Sequence, residues 1–188
     1  MALPDMVAAA YRRAADAGFE LSSEPEVGRL LACLAAAVPP QGRVLELGTG
    51  VGAGLAWLVH GLGERTDVTV VSVDVDPELQ AAARDGAWPA YVSFELGDGA
   101  ALLAQLGSFD FIFADAPGGK IHKLRRTVEA LRPGGVLVVD DMDLARHTDA
   151  ALREALAVVR ERLLTHPELV SAELPFSSGV MVAVKRSS

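Results

Sequence analysis

Residues 43 to 54 read Arg43-Val44-Leu45-Glu46-Leu47-Gly48-Thr49-Gly50-Val51-Gly52-Ala53-Gly54. An apolar run carrying one acid leads into a glycine-rich turn and then into an amphipathic stretch. A strand that feeds a helix through such a turn points backbone N–H groups at a ligand, and glycine permits both the tight turn and the close approach. The spacing also satisfies G-x-G-x-x-A at Gly48, Gly50 and Ala53, a pattern that serves nicotinamide and flavin cofactors. Taken alone, the turn leaves the ligand open.

Working outward, Val68 to Val73, Tyr91 to Leu96, Phe109 to Ala114 and Val136 to Val139 are further strand-like runs, with amphipathic stretches near 52–62, 77–86, 99–106 and 119–131 between them. Continuous Val/Leu/Ile/Phe runs belong to strands covered on both faces, so the pattern predicts a doubly wound, Rossmann-like α/β domain with a parallel sheet. Two helices are expected ahead of it, Pro4 to Ala17 and Glu24 to Val38, before Pro39-Pro40-Gln41-Gly42 stops the helical pattern. They suit either a lid or the surface of a homodimer. Beyond a helix at 148–164, Leu169 to Pro175 and Val180 to Val184 are joined by Phe176-Ser177-Ser178-Gly179. That connector is too short for a parallel crossover, so these strands are expected to form an antiparallel hairpin.

The 188 residues fit one domain, 1–188, with residues 1–40 as a helical extension of a core at 41–188, since a domain takes roughly 100 to 200 residues. A 51% hydrophobic content supports a packed core, and the net charge of −8 repels phosphate backbones and anionic lipid. Neither nucleic acid nor a membrane is an expected partner, and no run approaches the roughly 18 apolar residues that span a bilayer. Asp5 and a short apolar patch do not make a secretory signal. The single cysteine, Cys33, cannot form an internal disulfide and reads as core filler in a cytoplasmic protein.

Each strand-like run ends in acid at the same edge: Asp74, Asp98, Asp115, and the pair Asp140-Asp141. Ligands of open α/β sheets sit at that edge. Converging carboxylates repel one another, and a ligand with positive charge or several donors relieves the repulsion, whereas a pyrophosphate increases it.

Taken in order, Val44 to Gly52, Val71-Ser72-Val73-Asp74-Val75-Asp76-Pro77-Glu78, Gly97-Asp98-Gly99, Phe109 to Asp115, and Leu131-Arg132-Pro133-Gly134-Gly135 followed by Asp140-Asp141 resemble the class I S-adenosylmethionine-dependent methyltransferases. Within them the chain is most similar to small O-methyltransferases related to catechol O-methyltransferase. The resemblance implies a seven-stranded sheet in the order 3-2-1-4-5-7-6 with the last strand antiparallel. It implies that Glu46, Gly48, Thr49, Gly50 and Gly52 hold the methionine end of S-adenosylmethionine, that Asp74 binds the ribose hydroxyls and Asp98 the adenine amine, and that Asp115 faces the donor. Asp115, Asp140 and Asp141 would hold a magnesium ion, with Asp141 standing where the family pattern has Asn; the acceptor would be a small hydroxylated aromatic. The segment Ala116-Pro117-Gly118-Gly119-Lys120 departs from the family's shorter approach to a lysine, and Lys120 is either the general base or a solvated side chain.

Other residues have plainer readings. Asp76 should cap the helix opening at Pro77, His122, His147 and His166 read as surface histidines, and Trp88 as packing at the edge opposite the crevice. A nicotinamide-dependent oxidoreductase would want a tyrosine beside a lysine at the crevice, yet the two tyrosines are Tyr11 and Tyr91. A non-catalytic S-adenosylmethionine-binding module is the other alternative.

Overall fold

The structure, a computed structural model, describes residues 2–187. The parallel strands are β1 (Arg43–Leu47), β2 (Thr69–Asp74), β3 (Val92–Leu96), β4 (Phe109–Ala114) and β5 (Leu131–Val139). On the central β4, Phe111, Ile112 and Phe113 are all buried, so neighbouring side chains pointing to opposite faces both leave water. This is the burial that continuous apolar runs require. The hairpin strands β6 (Leu169–Leu174) and β7 (Val180–Lys185) follow, and β7 pairs antiparallel with both β5 and β6. The order is β3-β2-β1-β4-β5-β7-β6, as the resemblance implied. The chain winds outward from β1 in one direction and resumes at β4 on the other side of β1. A crevice therefore opens at the carboxyl ends of β1 and β4.

Helices α1 (Asp5–Ala17), α2 (Pro25–Ala35) and α3 (Ala53–Leu62) share an apolar cluster with Val44, Val70, Phe111 and Phe113 on one face of the sheet. After α4 (Pro77–Arg84), the opposite face is covered through α5 (Gly99–Leu106), the one-turn α6 (Pro117–Lys120), α7 (Leu124–Glu129) and α8 (Ala150–Thr165). Leu103, Leu124, Val128, Leu156 and Val159 carry that contact.

One face of α2 packs against α3 within the chain. Backbone approach is so close that a Cβ on Gly61 would lie 2.1 Å from Ala32 O, and one on Gly28 would lie 2.0 Å from Trp57 Nε1. Burial of Val27, Gly28, Leu31 and Ala35 puts Cys33 on the opposite side of α2, where it is exposed rather than filling the core. Nor is 119–131 one helix. Gly118 and Gly119 leave the helical region and Lys123 adopts φ 62°, so the stretch splits into α6 and α7 and β5 already begins at Leu131. Among the described residues no helix is long and apolar enough to cross a membrane.

Candidate active site

Gly48, Gly50 and Gly52 adopt φ of 107°, 50° and 87°, in the range that disfavours any side chain. The turn is also crowded. A Cβ would lie 3.1 Å from Ala116 N at Gly48, 3.0 Å from the Phe19 ring at Gly50 and 2.9 Å from Trp88 Cζ2 at Gly52. Trp88 thus packs beneath the turn, with the Arg13 guanidinium 5.6 Å from its ring centroid, and not at the far edge of the sheet. The Asp74 carboxylate accepts N–H of Gly50 at 2.7 Å through Oδ2 and N–H of Asp76 at 2.9 Å through Oδ1. Asp76 caps α4 by accepting from Glu78 and Leu79, as its sequence position requires.

Under the turn lies a buried polar chain. Ser72 Oγ donates to Glu46 Oε2, and Thr49 Oγ1 stands 2.6 Å from Ser72 Oγ; with the one Ser72 proton committed to Glu46, Thr49 is the donor to Ser72. Glu46 is fully buried and its Oε1 has no hydrogen-bond partner within the chain. Burial pushes its pKa up to about 8, against the Ser72 hydrogen bond and helped by the Asp74 charge.

A cavity of about 390 Å³ opens over the turn, large enough for a small-molecule site. Its walls bring together Gly48, Thr49, Gly50, Asp74, Asp115, Lys120 and Asp141, which come from four strand ends and α6. Glu46 and Gly52 support the turn from beneath. Asp98 stands apart: it is exposed and caps α5, accepting from Ala100 N at 2.9 Å. The structure adds residues from the α1–α2 connection, Phe19, Leu21, Ser22 and Ser23. Ser22 Oγ is buried without a partner, and Ser23 Oγ lies 3.5 Å from Asp115 Oδ2. The only trace of them in the sequence is a turn-like Ser-Ser pair. His147, read as a surface residue, lines the same cavity, its Nε2 2.9 Å from the Asp141 carbonyl oxygen.

Lys120 is not a solvated side chain. It is 4% exposed, donates from Nζ to the Asp140 carbonyl at 3.1 Å and lies 3.6 Å from Asp141 Oδ2. Asp140 is buried and accepts at Oδ1 from Ser178 Oγ and from the Asp141 N–H. Burial raises the pKa of Asp115 and of Asp140; Asp140 adds to the rise at Asp115, and Lys120 opposes it at both.

These carboxylates do not make the magnesium site that the resemblance implied. Among the described residues no group of three or more His, Cys, Asp and Glu side chains is placed to hold a metal ion. Magnesium asks for oxygens converging on one octahedral centre. Here Oδ1 of Asp140 is turned to Ser178, and the Lys120 ammonium faces Asp141. The glycine turn, in contrast, fits S-adenosylmethionine: glycines at positive φ where a side chain would crowd its neighbours, with Asp74 and Asp115 in the same cavity wall, placed for the ribose and the cationic end of the ligand.

A family described as a methyltransferase domain matches residues 45–142. "Probable O-methyltransferase Rv1220c" from Mycobacterium tuberculosis H37Rv is 35% identical over 193 aligned positions, which cover 96% of this chain and 84% of that protein. Among solved structures, cofactor-bound Rv0187 from MTB superposes with a TM-score of 0.83 at 26% identity, covering 99% of this chain and 92% of its own. The O-methyltransferase TomG from Streptomyces achromogenes, in complex with SAM, superposes with a TM-score of 0.84 at 21% identity, covering 99% and 92%. With this agreement of sequence, fold and cradle, the chain belongs to the class I S-adenosylmethionine-dependent O-methyltransferases.

Proposed function

We propose that the acceptor is a small hydroxylated aromatic whose oxygen is methylated at the Lys120–Asp141 end of the cavity. One observation carries this: the buried Lys120 Nζ, 3.6 Å from Asp141 Oδ2, shares a cavity with the glycine turn. Apolar Leu21, Pro117, Ile121, Leu152 and Leu156 also line it, suiting a flat ring with one polar edge.

In this reading Gly48, Thr49, Gly50 and Gly52 cradle the methionine end of the cofactor above Glu46, Asp74 accepts from the ribose hydroxyls, and Asp98 accepts from the adenine amine with the oxygen that α5 leaves over. When bound, S-adenosylmethionine supplies an electrophilic methyl group and retains the C–S electron pair as a neutral sulfide. Asp115 faces the donor. Lys120 holds the acceptor oxygen by its remaining N–H and stabilises the developing oxyanion. The acceptor proton leaves through the half-exposed Asp141 carboxylate to solvent. Alignment, not new covalent chemistry, is the work left to these residues. The free, exposed Cys33 suits a reducing cytoplasm.

The test is a labelled-methyl transfer screen over catechols, phenols and small hydroxy acids. Methylation of phenolic acceptors is the expected result, and turnover confined to aliphatic hydroxy acids overturns the aromatic assignment. S-adenosylhomocysteine binding with no transfer to any acceptor would instead favour a binding module.

A further inference from the structure

Family resemblance places a divalent cation among Asp115, Asp140 and Asp141, and the geometry gives that place to an amino group of the chain itself. We propose that the Lys120 ammonium is the resident cation of this site, and that the acceptor oxygen is held and polarised without a bound divalent metal. The inference rests on the O-methyltransfer reading for its purpose but not for its test.

Two departures from the family pattern are explained together. The segment Ala116-Pro117-Gly118-Gly119-Lys120 brings the lysine in under cover: Gly119, at φ 97°, lies where a Cβ would meet Leu47 Cδ1 at 2.4 Å, and its carbonyl accepts from Thr127 Oγ1 at 2.7 Å. With α6 pinned in this way, Lys120 Nζ reaches the Asp140 carbonyl at 3.1 Å. Asp141 is the second departure. Its φ of 59° suits Asn and Asp alike, so the backbone does not choose between them. The carboxylate does something that an amide cannot: its Oδ2 lies 3.6 Å from Nζ and supplies the counter-charge.

Of the three Nζ protons, one is donated to the Asp140 carbonyl and one is directed toward Asp141, which leaves the third for the cavity that Lys120 lines. A hydrated magnesium ion would need the Asp141 oxygen that faces this ammonium and would sit against a like charge. It would also need the Asp140 carboxylate, whose Oδ1 already accepts from Ser178 and the Asp141 amide. One positive charge fits here, and the chain provides it.

The experiment uses Mn²⁺ as the probe, read by loss of its free-ion electron paramagnetic resonance signal on titration into the protein saturated with S-adenosylhomocysteine. Wild type is expected to show no saturable site below millimolar Mn²⁺. Lys120→Met, which removes the cation and leaves the carboxylates, is expected to gain a site at least tenfold tighter, and adding Asp141→Asn to that background should abolish the gain. Thermal melting and S-adenosylhomocysteine binding establish that each variant is folded; if Lys120→Met is not, Lys120→Gln replaces it. Saturable micromolar binding to wild type that Asp141→Asn weakens overturns the proposal, as does a folded Lys120 variant that gains no site. Failure of wild type to bind S-adenosylhomocysteine counts against the methyltransfer reading alone, because the titration can be repeated without it.

Discussion

The Asp74 carboxylate ties the end of β2 to the glycine turn after β1, its Oδ2 accepting the Gly50 N–H at 2.7 Å. It shapes the cradle before any ligand arrives, and in the proposed binding mode it also presents charge to the ribose. Hydrogen bonds to a charged acceptor contribute about 1.5 to 3 kcal/mol. Asp74→Ala is therefore expected to weaken S-adenosylhomocysteine binding by about tenfold to a hundredfold, with Asp74→Asn losing less. An unchanged dissociation constant by calorimetry would take Asp74 out of the site.

Gly52 tests the cradle from the other side. At φ 87°, with Trp88 Cζ2 2.9 Å from the position of a Cβ, alanine there costs about 1 to 2 kcal/mol in backbone strain and must also displace the Trp88 ring. Gly52→Ala is expected to lower stability in urea and to weaken cofactor binding together. A variant as stable as wild type that binds normally would show the turn to be more pliant than its geometry implies.

Glu46 gives a pH signature. Burial raises its pKa from 4.5 to about 8, so between those values the folded chain keeps a proton that the unfolded chain has released. Its contribution to stability is whole below the unfolded value and is lost as pH rises through the folded one. The slope approaches at most about 1.4 kcal/mol per pH unit for one group. Glu46→Gln keeps the shape and an acceptor for Ser72 but cannot ionise. Urea unfolding at pH 5.5 and pH 7.5 should find the variant gaining on wild type at the higher pH by about 2 kcal/mol. Asp140, also raised by burial, acts in both proteins and cancels in the comparison, whereas Asp115 feels the Glu46 charge as well, so its rise is smaller in the variant and adds to the difference in the same direction. Parallel pH profiles would mean that Glu46 is ionised in the folded chain at both pH values.

Strands and cofactor turn were legible in the sequence because the signals are local or periodic: a buried parallel strand must be apolar throughout, and Asp76 before Pro77 can do little else than cap. What failed depends on distance along the chain or on backbone angles. Cys33 sits in an alanine-rich helix whose small residues mark both faces alike, so only packing against α3 shows which is buried. Trp88 reaches the glycine turn from the α4–β3 connection. The setting of Lys120 follows from Gly118 and Gly119 leaving the helical region, and that of Asp140 from Ser178 on the hairpin turn. Those two partners decide the fate of the expected metal site, and neither adjoins it in sequence.

The last prediction concerns the segment that covers the cavity. Glu24, just before α2, accepts from Arg146 Nη2 at 2.6 Å and from Ser177 Oγ, fastening the α1–α2 connection to the turn after β5 and to the β6–β7 turn. Residues of that connection line the cavity, among them Phe19, Leu21 and Ser22. The pair is exposed, and such ion pairs contribute about 0 to 1 kcal/mol, so Glu24→Ala should lower Tm by less than about 4 °C. Its effect on dissociation is expected to be larger, because freeing this edge uncovers the bound ligand without unfolding anything else. Stopped-flow displacement should show the S-adenosylhomocysteine off-rate rising several-fold in Glu24→Ala and in Arg146→Ala. The double variant should rise no further, as one latch cannot be opened twice. Rising ionic strength should raise the wild-type off-rate toward that of the variants, since exposed charges are screened. An off-rate that stays at the wild-type value in all three variants would show that the connection holds its place through Phe19 and the Tyr11–Ser23 hydrogen bond of 2.6 Å, with the ion pair a bystander.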